Sequence, residues 1–186
     1  MPKFSITTLG CKVNQAESEA IAQDLMSADW SAAADCDTAE VCIVNTCTVT
    51  QKASMQSRQA VRKAIRINPN ARVIVTGCYA QTAPDEIGKI DGVDDIVGHD
   101  KKLTISRLLR SDGDASFEGE ASSASHIRGT AQFQLMPAAT STSRTRPFLK
   151  IQDGCNAFCT YCIVPYARGR SRSMPVNNVL QSIEEL

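Results

Sequence analysis

The sequence predicts an α/β layer fold with a mainly parallel sheet, then a linker, then the opening of a second domain. Three observations predict it. Short β-branched runs alternate with helical apolar spacing through residues 1–110, the pattern that lays helices over parallel strands. Residues 111–145 turn rich in Ser, Ala, Gly and Thr, as in "SDGDASFEGEASSASHIRGT" and "AATSTSRT", which reads as a flexible linker with a short ordered piece at Phe133 to Met136. A new apolar run, "PFLKIQ", then opens residues 146–186.

The elements follow in order. Phe4 to Leu9 reads as a strand, and Asn14 to Met26 as a helix with Ala16, Ala20, Ile21 and Leu25 on one face. Val41 to Val44 is a second strand. Val49 to Ile67 is a long helix, broken by Asn68-Pro69-Asn70. "RVIVT", Arg72 to Thr76, is a third strand. Pro84 opens a short helix, Asp95 to Gly98 fits a fourth strand, and Leu103 to Leu109 a last helix. In the second part, Pro147 to Gln152 reads as a strand. Pro175 precedes a helix whose apolar face is Val176, Val179, Leu180 and Ile183. A strand, a loop and one helix do not close a core, so the expectation is an N-terminal fragment that stops just after the second domain opens.

Composition narrows the class. Hydrophobic content is 42% and charged content 22%, ordinary for a globular protein. No apolar run approaches the roughly 18 residues of a membrane span. The start, MPKFSITTLG, lacks the core and cleavage site of a signal peptide, so the chain reads as cytoplasmic and without membrane contact. Eight cysteines in that compartment argue for metal binding or catalysis over a disulfide framework. Formal net charge is zero. Any basic surface for nucleic acid must therefore be local, or lie outside this chain.

The cysteines fall into two triplets. Cys155, Cys159 and Cys162 crowd into "GCNAFCTYC". Three soft thiolates suit zinc or iron–sulfur, but structural zinc wants four ligands. His126 is the nearest further candidate. Three cysteines on an iron–sulfur cube would leave one iron open to a small molecule. Cys11, Cys47 and Cys78 each follow directly on an expected strand. The C-terminal ends of parallel strands line up along one edge, where ligands bind, so these three can converge on one site. Gly10 and Gly77 would let the backbone turn tightly there. Cys42 reads as a small hydrophobe in its strand. Cys36, His99 and His126 read as structural.

These residues carry a resemblance. Cys155-x-x-x-Cys159-x-aromatic-Cys162 resembles the signature of the radical S-adenosylmethionine (SAM) enzymes. "TLGCKVNQAESE", "VNTCTVT" and "TGCYAQ" resemble the N-terminal domain of one subfamily, the radical SAM methylthiotransferases. The resemblance implies a 4Fe–4S cluster on Cys155, Cys159 and Cys162, whose open iron chelates SAM. It implies Tyr161 beside the SAM adenine, and a second 4Fe–4S cluster on Cys11, Cys47 and Cys78. It implies a methylthiotransferase domain over residues 1–110, and then the first β-loop-α unit of a partial TIM barrel. The implied reaction adds a methylthio group at an unactivated C–H bond by radical chemistry and draws on an electron donor. "GCKVNQ" and "FLKIQDGCNAFCTYCIVPYARGRSRS" look most like the branch acting on carbon 2 of N6-threonylcarbamoyladenosine next to the anticodon in tRNA. The isopentenyladenosine and ribosomal-aspartate branches are the alternatives. The rest of the barrel and an RNA-binding C-terminal domain would lie outside this chain, which is expected to be inactive alone. Arg168, Arg170 and Arg172 divide evenly between contacts to SAM or RNA and a solvated basic turn. The sequence singles out no acid or base. Two readings of another class stay open: a two-cluster electron carrier, which needs Cys36 and Cys42 as ligands, and a zinc-binding module.

Overall fold

The computed structural model describes residues 1–110, 132–136 and 148–185. The remainder of the expected linker, with His126, lies outside the described residues, as does Pro147, the expected start of the second domain's strand.

A five-stranded, wholly parallel sheet runs in the order β2-β1-β3-β4-β5. Its strands are β1 (Lys3–Thr8), β2 (Ser31–Ala32), β3 (Val41–Thr46), β4 (Arg72–Gly77) and β5 (Asp95–Ile96). Every residue of β3, VCIVNT, is buried, as befits a central strand covered on both faces. Its alternate side chains serve two cores. Val41 and Ile43 join Phe4, Ile21, Leu25, Ile105 and Leu108 on one face, under α1 (Lys12–Met26) and α5 (Ile105–Arg110). Cys42 and Val44 join Val61, Val73, Val75, Tyr79 and Ile87 on the other. That face is covered by α2 (Gln51–Ile67), α3 (Cys78–Thr82) and α4 (Pro84–Gly88).

The helices start where their sequences allow. Thr50 caps α2 by accepting from the Ala53 N–H at 3.1 Å, and Pro84 opens α4, where its missing N–H is not needed. A 3-10 turn, His99–Thr104, precedes α5. No described helix is long and apolar enough to cross a membrane.

Four expectations are corrected. The strand expected over Pro147–Gln152 is only β6 (Gln152–Asp153), and it pairs antiparallel with β7 (Arg172–Ser173) in a separate two-stranded ribbon. Ile151 extends the ribbon by one bond, accepting from the Met174 N–H at 2.8 Å, and Lys150 is drawn into a buried charge cluster. The expected fourth strand ends at Ile96, two residues early, and the expected last helix starts at Ile105 because the 3-10 turn takes Leu103 and Thr104. β2 carries no β-branched residue, and the sequence reading passed over it. Finally, Cys36 and Cys42 are joined to each other. The turn between β2 and β3 folds back so that their Cα atoms lie 5.5 Å apart, inside the span a disulfide needs. Cys42 is thus bonded to Cys36 and not only a small hydrophobe packed in its strand. Six cysteines stay free.

Between the two strands of the ribbon, α6 (Val164–Arg168) packs on α3. The helix expected from Pro175 is α7 (Val176–Glu184), which has no buried residue.

Non-reducing alkylation and peptide mapping should leave six of the eight cysteines labelled and Cys36 linked to Cys42. Replacing both by Ala should lower unfolding free energy by about 2 kcal/mol on the loop-entropy account, read by urea titration. An unchanged midpoint together with eight labelled thiols would contradict the linkage.

Candidate functional site: a cysteine edge on a buried charge cluster

The sheet order reverses between β1 and β3, the point where open α/β sheets leave a crevice outside their strand ends. The register fixes what lies there. Thr8 stands opposite Asn45, and Thr46 opposite Gly77. Leu9 continues the ladder by donating to the Asn45 carbonyl at 2.9 Å. Cys11, Cys47 and Cys78 therefore leave adjacent strands at one edge. Gly10 has a φ of +97°, and a Cβ there would stand 2.7 Å from both Cβ and Sγ of Cys47, so only glycine lets these turns approach. Gly77, at φ +101°, would drive a Cβ to 2.4 Å from the Thr46 carbonyl oxygen.

Polar side chains pin the three turns. Asn14 donates to the Leu9 and Thr46 carbonyls at 2.8 and 3.0 Å, tying the ends of β1 and β3. Ser57 of α2 clasps Cys47, accepting from its N–H at 3.0 Å and donating to its carbonyl at 2.8 Å. The Ala80 N–H donates to Thr46 Oγ1 at 3.2 Å. Cys11 is exposed at the N-cap of α1, while Cys47 and Cys78 are buried.

The second triplet sits in a loop closed by the β6–β7 ribbon. The Cys155 N–H donates to the Gly169 carbonyl at 3.1 Å, and the Cys162 N–H to the Cys159 carbonyl at 2.9 Å. Because α6 follows Cys162 and packs on α3, which begins with Cys78, the two cysteine segments are neighbours. An open groove of about 740 Å³ lies beside them. Three of its lining residues, Thr48, Tyr79 and Ile163, each directly follow a cysteine.

Beneath this edge is a cluster that sequence reasoning missed. Glu17 is fully buried, and Lys102, Lys150 and Arg168 converge on it at 2.5, 2.7 and 2.9 Å. Asp153 takes Lys150 at 2.8 Å, Arg168 at 2.9 Å, Arg172 at 3.4 Å and the His99 Nε2 at 2.8 Å. Arg168 also donates to Asn14 Oδ1 at 2.6 Å. One guanidinium thus joins the cysteine loop to the residue that ties β1 to β3. Burial alone would raise Glu17, but Lys102, His99, Arg168 and Lys150 outweigh it and hold the carboxyl well below its usual range. Burial pushes His99 down to about 4, with Lys102 adding to the effect, so the ring is neutral and its Nδ1 has no hydrogen-bond partner among the described residues.

These contacts correct two readings. His99 is a member of a buried polar cluster and no bland strand-end residue. Arg168 is neither a solvated basic residue nor free for a cofactor, since both its terminal nitrogens are engaged by Glu17, Asp153 and Asn14. Arg170 lies over the Phe158 ring at 5.6 Å, and Tyr161 is 90% exposed. The piece at Phe133 to Met136 meets the body, with Gln134 donating to the Asp100 carbonyl and Lys150 lying over the Phe133 ring.

Two metal readings can be tested on this geometry. Glu17, His99 and Asp153 offer ligand atoms within 4.8 Å of one another. Two carboxylates there face four cations, Lys102, Lys150, Arg168 and Arg172, so the local charge is already positive and a metal cation does not fit. Three thiolates on one zinc would sit about 3.8 Å apart, given its bond length and tetrahedral angle. No cysteine triplet is gathered within 4.8 Å among the described residues, whereas a cube takes one thiolate at each of three corners and spreads them wider. The surplus positive charge also suits an anionic group. Burial raises the Cys78 thiol, and Arg168 and Lys102 are the groups that pull it back. With Cys36 and Cys42 bonded to each other, four thiols for each of two clusters are not available.

Residues 3–98 match the family model described as uncharacterized protein family UPF0004. Over its whole length the chain is 41% identical to the threonylcarbamoyladenosine tRNA methylthiotransferase MtaB of Bacillus subtilis, covering 41% of that protein. Over 99% of its length it is 35% identical to the protein of the same name in Aquifex aeolicus, covering 44% of that chain. It is also 32% identical to the tRNA-2-methylthio-N(6)-dimethylallyladenosine synthase of Bacteroides fragilis, over 99% of this chain and 40% of the relative. The chain therefore spans less than half the length of these relatives.

Glu17→Gln should destabilise the fold by roughly 3–5 kcal/mol, because it strands buried cations, and should speed hydrogen exchange across residues 150–172. Unchanged exchange there would mean that the cluster does not hold the loop. Acid should act earlier than carboxylates alone would allow. Between pH 6.5 and about 4 the unfolded chain binds a proton that His99 refuses when folded, so stability falls as pH drops through that window. The loss from this residue is on the order of 3 kcal/mol, and His99→Gln should flatten the stability curve between pH 6.5 and about 5, above the range where the unfolded carboxylates take up protons.

Proposed function

Because the chain belongs to the uncharacterized protein family UPF0004 and its relatives carry methylthiotransferase names, we propose that it forms part of a tRNA methylthiotransferase. Its target is carbon 2 of N6-threonylcarbamoyladenosine. The observation that carries this reading is the row of Cys11, Cys47 and Cys78 at the switch-point edge, with the Cys155–Cys162 loop seated beside it.

Cys11, Cys47 and Cys78 would hold one 4Fe–4S cluster in the domain of residues 1–110, and Cys155, Cys159 and Cys162 a second that binds SAM. When bound, these groups supply the radical and sulfur chemistry that side chains do not perform. The chain's own residues do the rest. Gly10 and Gly77 keep the edge free of side chains. Lys102 and Arg168 set positive charge beneath the buried thiolates. Asn14 and Ser57 fix the turns that aim the sulfurs. Tyr161, exposed directly before Cys162, would cover a bound adenine. The threonylcarbamoyl branch is favoured over isopentenyladenosine because relatives with that name match at 41% and 35% identity, against 32%. An external electron donor completes the set of partners.

Anaerobic reconstitution should give about eight irons and eight sulfides per chain. Cys155→Ala/Cys159→Ala/Cys162→Ala should retain about four, as should the triple replacement of Cys11, Cys47 and Cys78. Cys36→Ala/Cys42→Ala should keep all eight. A colourless zinc protein, or iron lost in the Cys36/Cys42 variant, would overturn the reading. Nucleoside analysis of tRNA from a strain lacking the gene reports the branch: loss of the methylthio group from threonylcarbamoyladenosine supports it, and loss from isopentenyladenosine contradicts it.

A further inference from the structure

The chain has 20 basic and 20 acidic residues and no net charge, yet the charge is unevenly placed. Helix α2, QKASMQSRQAVRKAIRI, carries Lys52, Arg58, Arg62, Lys63 and Arg66 and no acid at all. At about 100° per residue, Lys52, Lys63, Arg66 and Arg62 fall on one face, with Gln56 and Gln59 between them. The opposite face packs Ser57, Val61 and Ala64 into the sheet. Arg58 lies at the side and is engaged by Tyr79 and Glu86. The other four cations are exposed, and none forms an ion pair among the described residues. From Lys52 to Arg66 the stripe runs about 21 Å.

Its position matters as much as its charge. The Lys52 end opens on the groove lined by Thr48, Tyr79 and Ile163, next to three of the cysteines. The Arg66 end lies at the far end of the layer. A polyanion lying along α2 would thus have one end at the cysteine edge. Exposed amides between fixed cations are the donor set that phosphates and sugars take, and an acid-free stripe on a neutral protein repels no phosphate.

We propose that the outer face of α2 binds the phosphate backbone of the substrate RNA, with Lys52, Arg62, Lys63 and Arg66 as the contacts and the groove at its head receiving the nucleotide next to the cysteines. This rests on the tRNA reading above for the identity of the RNA. It assigns to this chain a share of recognition that the sequence had left to regions outside it.

The test is fluorescence anisotropy of a labelled anticodon stem-loop hairpin with the reconstituted 186-residue chain, titrated from about 50 to about 200 mM salt. Lys52→Gln/Lys63→Gln/Arg66→Gln should weaken binding about tenfold or more at the low end and flatten the log–log salt slope by about 2, since each phosphate no longer neutralised removes roughly 0.7–0.9. Lys89→Gln/Arg107→Gln/Arg110→Gln removes the same charge from exposed sites elsewhere and should change little. Lys63→Glu alone should weaken binding as well, and serves if the triple variant folds poorly. Equal losses in both triple variants, no binding by the parent, or a polyglutamate peptide that displaces the hairpin at equal concentration would each overturn the proposal. Iron and sulfide counted on the same samples separate the two readings. Clusters present with RNA binding unaffected by the α2 changes sink this inference alone. Clusters absent with α2-dependent binding sink the cluster assignment alone.

Discussion

The arrangement depends on one buried guanidinium. Arg168 reaches from the end of the cysteine loop into the N-terminal layer and meets Glu17, Asp153 and Asn14. Charges this deep are tolerable only when paired and hydrogen-bonded. Burial works against the Arg168 charge, and Glu17, Cys78 and Asp153 more than restore it. The contacts are also directional. Asn14 holds the ends of β1 and β3 together and in turn accepts from Arg168, so the loop and the strand ends cannot shift independently without breaking bonds that water does not replace. An apolar contact of the same area would stick the two parts together without setting their register.

Much of the site was legible because it is written in backbone geometry. A cysteine placed directly after each of three parallel strands must arrive at one edge, and the strand register needs no more than that. The glycines at Gly10 and Gly77 were legible for the same reason. The charge cluster was not. Glu17, Lys102 and Asp153 each look like ordinary surface residues in their local sequence; Glu17 meets partners 85 and 151 residues away, and Asp153 meets His99 at 54. Only the folded layer makes them neighbours. β2 was missed because two residues, Ser31 and Ala32, carry no strand propensity and are strands only because β1 offers them bonds. The Cys36–Cys42 pairing ran against a compartment argument, which speaks of averages and not of two thiols held in one turn.

The charge asymmetry of the molecule has the same local character. Zero net charge is the sum of a positive cluster under the cysteines, a basic helix face and acids spread elsewhere. Whole-chain charge therefore says little about partners here. The distribution along single elements, α2 above all, carries the information.

The 151-residue gap between Glu17 and Arg168 has a consequence in time. A ribosome adding about 5–20 residues per second delivers Arg168 roughly 8–30 s after Glu17. In that interval the parallel layer, with Cys11, Cys47 and Cys78 on its edge, has Lys102 and the more distant His99 ring to meet the Glu17 carboxylate, and lacks Lys150 and Arg168. The older half of the molecule is thus exposed to the cell's assembly machinery before the younger half has been made.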